Sequence, residues 1–328
     1  MRCAGLGVVG LAAVAGCGIS PSVVSPNGAG EARDFTVVTL PDTQYYAASH
    51  ADILAAQVEW IARERAGRNI AVVLHEGDIV DDGSPQQWSI AAGALHVLDG
   101  LVPYVLSTGN HDYARRGAVI TRDTLIDRYF PSPGDAMATA AGTFEPGRIE
   151  NRFEVVPAPG GPWLILSLEF GPRDGVLEWA DRITQRYSAL PAIVLTHAYL
   201  ASDGARFDHL GRTDQPFDPH HYLDDRVPGS VNDGQEIWRK LIVRHDNIRF
   251  VLCGHDLFGG VGRLASTRPD GTVVHELLAN YQMQPLGGGG YLRVLQFSPR
   301  ERYVRVRTYS PYLDRFKTDP ENDFTVAY

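Results

Sequence analysis

Short runs of β-branched and apolar residues alternate along this chain with segments of helical period, and this alternation constrains the fold more than any other feature. The run Phe35–Leu40 predicts a buried strand, and apolar residues then recur at helical spacing from Ile53 to Ile61. A second apolar run follows at 70–74. An order of strand, helix and strand is typical of an α/β fold with parallel strands.

The same alternation continues to about residue 252 and then changes. Further strands are predicted at 104–106, 163–168, 192–195 and 249–252, and further helices at 86–98, 175–187 and 235–244. Beyond residue 272 three strand-like segments follow one another in hairpin fashion, at 273–278, 291–297 and 303–309. The sequence therefore predicts a second sheet, with residues 34–328 as a single domain.

The first 33 residues have a different character. A charged start is followed by an apolar run of small residues, which is typical of an export signal and too short for a permanent membrane span. We interpret 1–17 as this signal and 18–33 as a flexible tether. Val14-Ala15-Gly16-Cys17 resembles the bacterial lipobox, in which the cysteine is acylated after cleavage. The alternative is a plain secretory signal cut near Ala15.

These features predict where the protein resides and what it contacts. We expect it to be exported and lipid-anchored through Cys17 on the outer face of a bacterial membrane, or otherwise secreted or periplasmic. The formal net charge is −9, which disfavours binding to nucleic-acid backbones. Three cysteines are too few for a disulfide framework. Nothing in the sequence specifies an oligomeric state.

Polar residues follow five of the predicted strands at the points where the strands end. Singly, each has an ordinary interpretation as a turn residue, a helix cap or a buried core histidine. Together they are the mixture of carboxylate, amide and imidazole ligands that divalent metal ions prefer, and a pair of such ions suits in-line displacement at phosphorus. The candidates are Asp42, Gln44, Asp78, Asn110, His111, Asp112, His197 and His255.

Four motifs in this order carry a family resemblance. They are Gly77-Asp78-Ile79-Val80-Asp81, Gly109-Asn110-His111-Asp112, Thr196-His197 and Gly254-His255. They resemble those of the calcineurin-like metallophosphoesterases, and Pro41-Asp42-Thr43-Gln44 is similar to the Asp-Thr-Gln first motif of an exported subgroup. The resemblance implies an α/β fold in which a two-sheet β-sandwich is flanked by helices, with a metal pair at one end.

The resemblance also implies a role for each residue. Asp42 would bind the first metal, Asp78 would bridge the two, and the second metal would be held by Asn110, His197 and His255. His111 would lie over the scissile bond as proton donor or charge partner, and Asp112 would orient it. The cofactors would be two divalent ions, Mn, Fe, Zn or Mg, and a metal-held hydroxide would be the nucleophile.

Two departures from the family pattern weaken the first metal site. Gln44 and Leu257 stand where many members have histidine, so that site would rest on Asp42, Asp78 and water, with the Gln44 amide oxygen as a further candidate ligand. Two functions follow: an exported phosphomonoesterase or phosphodiesterase with a small phosphoester substrate, or a surface-anchored binding protein with an incomplete first site. Arg115 and Arg116 are candidate substrate-phosphate contacts, and the alternative is a solvated pair of charges.

Overall fold

The computed structural model describes residues 33–113, 117–119, 121–131 and 137–328. In chain order the strands are β1 (Phe35–Leu40), β2 (Ile70–His75), β3 (Tyr104–Leu106), β4 (Ala140–Thr143), β5 (Arg152–Val156), β6 (Trp163–Ser167), β7 (Ala192–Leu195), β8 (Ile248–Cys253), β9 (Val261–Thr267), β10 (Val273–Ala279), β11 (Leu292–Ser298), β12 (Tyr303–Ser310), β13 (Arg315–Lys317) and β14 (Asp323–Ala327). The helices are α1 (Gln44–Ser49), α2 (Ala51–Glu64), α3 (Pro85–Leu95), α4 (Ile126–Tyr129), α5 (Asp174–Arg186) and α6 (Gly234–Lys240), and four-residue Pro285–Gly288 forms a helical turn.

The strands form two mixed sheets. The first has the order β13-β12-β11-β1-β2-β3, with β14 also paired to β12, and the second has the order β4-β5-β6-β7-β8-β10-β9. Strands β1, β2 and β3 are parallel to one another, and so are β6, β7, β8 and β10. Because parallel neighbours end at the same edge, the residues that follow them converge there.

Side-chain alternation along the strands explains why the sheets pack against each other and against helices. In β1, Val37 faces the second sheet and lies in a core cluster with Ile193 and Phe250, whereas the next residue, Val38, packs with Ile53 of α2 on the opposite face. The outer face of the second sheet is covered in the same way by α5 and α6. The predicted two-sheet sandwich flanked by helices is confirmed.

The C-terminal strands are arranged differently from the predicted hairpin series. Segments 273–278 and 291–297 do not form a hairpin, because β10 pairs with β8 in the second sheet and β11 pairs with β1 in the first. The glycine-rich segment 287–290 carries the chain from one sheet to the other. Strands β4, β5, β9, β13 and β14 were not predicted.

The predicted export signal, the quartet that ends at Cys17 and nearly all of the tether lie outside the described residues. The contacts of the chain place Ala32–Tyr328 in one unit. Within the described residues, no helix has both the length and the apolar character that crossing a bilayer would require.

Candidate metal centre

Five predicted ligands converge at the carboxyl ends of the central strands. Asp42, Asp78 and Asn110 follow β1, β2 and β3, while His197 and His255 each come two residues after β7 and β8. All five are buried. Asp78, His197 and His255 each offer one ligand atom, and these atoms lie within 4.8 Å of one another. Asp42 Oδ1 is 3.8 Å from His197 Nε2.

Unusual backbone conformations place these side chains so close together. Asp42, Asp78 and His255 have positive φ angles of 25°, 51° and 79°, in a region that residues other than glycine rarely occupy. The adjoining motif glycines leave room for the carboxylates: a Cβ atom on Gly254 would collide with the carboxylate of Asp42, and one on Gly109 with that of Asp78. The motif glycines are therefore required by close approach to the ligands.

The two histidines have their tautomers set by backbone carbonyls. The carbonyl of Glu76 accepts from His197 Nδ1 at 2.8 Å, and that of Phe217 accepts from His255 Nε2 at 2.9 Å. Because a carbonyl can only accept, the other nitrogen of each neutral ring carries a lone pair. Those two nitrogens, His197 Nε2 and His255 Nδ1, lie 3.1 Å apart, and Asp78 Oδ2 lies 3.3 Å from His197 Nε2. Facing lone pairs repel unless a cation lies between them, so this donor set fits a metal ion.

The pKa shifts of the cluster residues also indicate that a positive charge is favoured there. Burial raises the pKa of Asp42 well above its ordinary value. Burial would also raise the pKa of Asp78, but His197 and His111 outweigh it and hold that pKa well below its ordinary value. Conversely, burial lowers the pKa of His197, yet Asp78 and Asp42 raise it to about 10. A divalent ion would supply the charge that a proton on His197 otherwise provides.

Two buried amide side chains supply further oxygens. Asn110 donates through Nδ2 to the carbonyl of Gly117 at 3.3 Å, and Gln44 donates through Nε2 to Asp78 Oδ2 at 2.9 Å. Their oxygens, Asn110 Oδ1 and Gln44 Oε1, are buried and receive no hydrogen bond from any described residue. A buried oxygen without a donor is costly unless it meets a cation, so both amides fit a role as metal ligands.

His111 lies beside the cluster, and its ring is hydrogen-bonded to Asp81. No role was predicted for Asp81 from the sequence. His111 Nδ1 donates to the carbonyl of Asp81 at 2.6 Å and lies 3.3 Å from the carboxylate of the same residue. Its backbone N–H donates to Asp78 Oδ1 at 2.9 Å. The side chain is about one-fifth exposed, and Nε2 is the ring nitrogen that Asp81 does not engage. In the sequence, Asp81 was noted only as the last residue of the motif Gly77-Asp78-Ile79-Val80-Asp81.

Asp112 is engaged with backbone rather than with the ring of His111. One carboxylate oxygen accepts from the amides of Ile79 and Val80, at 2.9 and 3.1 Å, and the other accepts from the amide of Gly109 at 2.8 Å. The bonds from Ile79 and Val80 tie the loop after β2 to the loop after β3, and the bond from Gly109 closes the second loop on itself. Asp112 is therefore placed to position both motifs.

Two further points concern residues named or flanked by the sequence motifs. Asp256, the residue before Leu257, accepts hydrogen bonds at Oδ1 from the hydroxyl of Ser202 and the amide of Phe258, and it is not grouped with Asp78, His197 and His255. Arg115 and Arg116 lie outside the described residues.

A long segment between β7 and α6 forms one wall of the centre. It supplies the carbonyl of Phe217 to His255, and the ring centroids of Phe217 and Tyr222 lie 6.0 and 5.3 Å from that of His255. Phe170, after β6, packs against the same ring at 5.3 Å. Aromatic side chains thus exclude water from one side of the histidine pair.

Comparison with known families accounts for this arrangement. The family model described as calcineurin-like phosphoesterase matches residues 35–258, more than half of the chain. The chain belongs to the calcineurin-like phosphoesterase family. The family hydrolyses phosphoric ester bonds and depends on two metal ions. The buried donors of this chain are the candidate ligands.

The individual proteins to which the chain is similar share 30% sequence identity or less with it. The chain is 30% identical over 287 residues to the Bacillus subtilis protein YvnB; the match covers 85% of this chain and spans about a fifth, 20%, of that protein's length. Among solved structures it is similar to GAP50, the anchor in the inner membrane complex of Plasmodium, with 11% identity, 89% of each chain covered and a TM-score of 0.44. It is also similar to the Haemophilus influenzae NAD nucleotidase, with 10% identity, 90% of this chain and 50% of that chain covered and a TM-score of 0.44.

Proposed function

We propose that this protein is an exported, metal-dependent hydrolase of small phosphoric esters, whose second metal is held by Asn110, His197 and His255. The observation that carries the proposal is the pair of facing imidazole nitrogens, 3.1 Å apart and next to the carboxylate of Asp78. Such a pair is stable with an ion or a proton between the rings, and an ion suits the family to which the chain belongs.

Each of these side chains then has a separate role in the reaction. Asp42 and Gln44 would hold the first ion, and Asp78 would contribute to both ions. When bound, the ions lower the pKa of a water molecule and neutralise charge on the phosphoryl group. His111 donates a proton from Nε2 to the leaving oxygen, while the carbonyl of Asp81 holds the opposite nitrogen of the ring. Arg115 and Arg116 follow this motif and are proposed to contact the substrate phosphate.

The proposed location rests on the sequence before the folded unit. An apolar run of small residues ending in Val14-Ala15-Gly16-Cys17 supports export and acylation of the cysteine. The substrate would then be a small phosphoester outside the cytoplasm, and the membrane would be contacted through the lipid alone. The charge of −9 argues against a nucleic-acid backbone as partner.

The test is an activity screen on the full chain in detergent. Metal-depleted protein would be supplied with Mn²⁺, Zn²⁺, Fe²⁺ or Mg²⁺ and assayed with p-nitrophenyl phosphate and bis-p-nitrophenyl phosphate, which separate monoesterase from diesterase activity. We expect metal-dependent hydrolysis, and its loss in His197→Ala together with one bound ion. His50→Ala, which removes a histidine that offers no atom to the cluster, is the matched control and should retain both.

One outcome would favour a binding function instead. Leu257 and Gln44 leave the first ion with fewer ligands than many family members provide. A protein that binds the second metal, remains folded and yet hydrolyses neither ester at saturating metal would contradict the hydrolase proposal and support a surface-anchored binding protein on the same scaffold.

A further inference from the structure

A second group of metal-binding side chains lies in the segment between β7 and α6, apart from the catalytic ligands. Asp218, His220 and Asp233 each offer one ligand atom, and the three atoms lie within 4.8 Å of one another. The carboxylate of Glu236 adjoins them, with Oε2 3.0 Å from His220 Nε2. We call these four residues the loop cluster: Asp218, His220, Asp233 and Glu236.

The loop cluster contains buried atoms that the described part of the chain leaves without partners. Asp218 is 1% exposed, and while its Oδ1 accepts from the amide of His220 at 2.9 Å, its Oδ2 is buried and receives no hydrogen bond from any described residue. His220 Nδ1 is likewise buried without a hydrogen bond among the described residues. A buried carboxylate oxygen lacking a donor is costly in the absence of a cation.

The charges in the loop cluster are also unbalanced. Three carboxylates surround one imidazole, and Lys240 approaches only the outer oxygen of Glu236, at 3.6 Å. Burial raises the pKa of Asp218 and, together with repulsion from neighbouring carboxylates, that of Asp233 to about 6. Both shifts reflect the cost of placing negative charge here.

The hydrogen bonds that Asp233 accepts at the start of α6 do not prevent its carboxylate from binding an ion. The oxygens of Asp233 accept from the amides of Glu236 and His209, at 2.8 and 2.9 Å, and each oxygen retains a second lone pair. The ring of His209 stacks on that of His220, with centroids 4.5 Å apart, which limits rotation of the ligand ring. His220 Nδ1 lies 3.7 Å from the carboxylate of Asp225, on the side opposite Nε2.

We propose that the loop cluster binds a divalent cation of the Mn²⁺ class, separate from the catalytic pair. Three carboxylates and one imidazole form an oxygen-rich ligand set, which suits Mn²⁺ better than a set dominated by nitrogen or sulfur. The ion takes the place of the proton between His220 Nε2 and Glu236 Oε2. Asp225 then faces the other ring nitrogen, as carboxylates commonly do behind a metal-binding histidine.

The position of this ion connects it to the catalytic centre. Asp218 directly follows Phe217, whose carbonyl fixes the tautomer of His255, and Tyr222, whose ring packs on His255, comes two residues after His220. An ion in the loop cluster would hold this stretch of chain in place. It would act as a structural brace for a catalytic ligand, without contacting the substrate.

The test counts Mn²⁺ ions in the full chain. Asp218→Asn is the conservative variant, because an asparagine oxygen can still accept from the amide of His220. We expect it to bind about one Mn²⁺ fewer per chain than the unmodified protein by equilibrium dialysis and elemental analysis. Asp214→Asn, which alters an exposed carboxylate paired with Arg212, is the matched control and should bind the full number.

A second readout reports the loop directly. Mn²⁺ should slow proteolytic cleavage within 202–233 several-fold in the unmodified protein and not in Asp218→Asn. Should that variant fail to fold, Glu236→Gln, whose amide oxygen can still accept from the amide of Asp233, should show the same loss of one ion. Equal ion counts in all variants would overturn the proposal and leave a proton shared between His220 and Glu236. Loss of the ion in Asp225→Asn but not in Asp218→Asn would overturn the ligand assignment.

Discussion

Substitutions at Asp112 distinguish a residue that positions the two motif loops from one that takes part in the chemistry. The carboxylate accepts three backbone hydrogen bonds, from the amides of Ile79, Val80 and Gly109. The bonds from Ile79 and Val80 cross between the loop that carries Asp78 and the loop that carries Asn110, and the bond from Gly109 lies within the second of these loops. We therefore expect the main effect of losing the carboxylate to be on stability and on the alignment of those loops.

The magnitude follows from the number of donors left without a partner. Asp112→Ala removes all three acceptors, and each buried N–H without a partner costs about 1–3 kcal/mol; with water entering the vacated space, we expect a loss of about 3–5 kcal/mol. Asp112→Asn keeps one oxygen and two of the bonds, but its NH₂ group faces the amide of Gly109. Burial and repulsion from Asp78 raise the pKa of Asp112 to about 7, so a neutral side chain also removes an unfavourable buried negative charge. We expect this variant to lose about 1 kcal/mol.

Urea unfolding followed by tryptophan fluorescence, with and without Mn²⁺, would measure these differences. Asp246→Asn, an exposed carboxylate on another part of the surface, is the control and should change the free energy of unfolding by less than about 0.5 kcal/mol. If Asp112→Asn unfolds like the unmodified protein but loses turnover by a hundredfold or more, the carboxylate acts through His111 and the positioning role is refuted.

Three further predictions concern the centre and the anchor. His111→Ala should lower kcat by roughly a hundredfold or more at unchanged metal content, since its Nδ1 is bonded to the carbonyl of Asp81 and the residue is not grouped with the ligand cluster; a parallel fall in bound metal would make His111 a ligand. Leu257→His should lower the Mn²⁺ concentration needed for half-maximal activity, and an unchanged Mn²⁺ titration would show that the side chain does not reach the first ion. Cys17→Ala should move the mature protein from the detergent phase into the aqueous phase, and mass spectrometry should find acyl groups on residue 17 of the unmodified protein alone; an unmodified chain starting at or beyond Gly16 would refute lipidation.

The central strands could be predicted because each is an uninterrupted apolar run. Strands such as β1 and β8 are buried on both faces, so their composition alone marks them. Strands at the edges lack this signal: β4 has the sequence Ala-Ala-Gly-Thr and β13 the sequence Arg-Phe-Lys, and neither is fully buried. Strand pairing is a property of the tertiary structure, which is why the C-terminal strands were predicted as one hairpin series although they divide between the sheets.

The ligand residues were predictable for a different reason. Each follows a recognisable strand within a motif that includes glycine, and the structure brings Asp78, His197 and His255 together. The groups that orient them were not predictable, because many are backbone atoms. The carbonyls of Glu76 and Phe217 lie 121 and 38 residues from the histidines that they fix, and any residue type could provide them. Sequence patterns record side chains, whereas these tautomers are set by backbone position.

The two halves of the metal centre differ in a way that follows from their donors. The half that contains His197 and His255 has imidazole nitrogens with fixed tautomers, which hold transition metals firmly. The half that contains Asp42 and Gln44 offers oxygens, and the Gln44 amide already donates to Asp78. A histidine in place of Gln44 would give an ion there a nitrogen, whereas the glutamine amide would be divided between Asp78 and the ion. Oxygen donors discriminate little among Mn²⁺, Mg²⁺ and similar ions, so occupancy of the first site should follow their concentration around the protein and set the fraction of molecules able to catalyse hydrolysis.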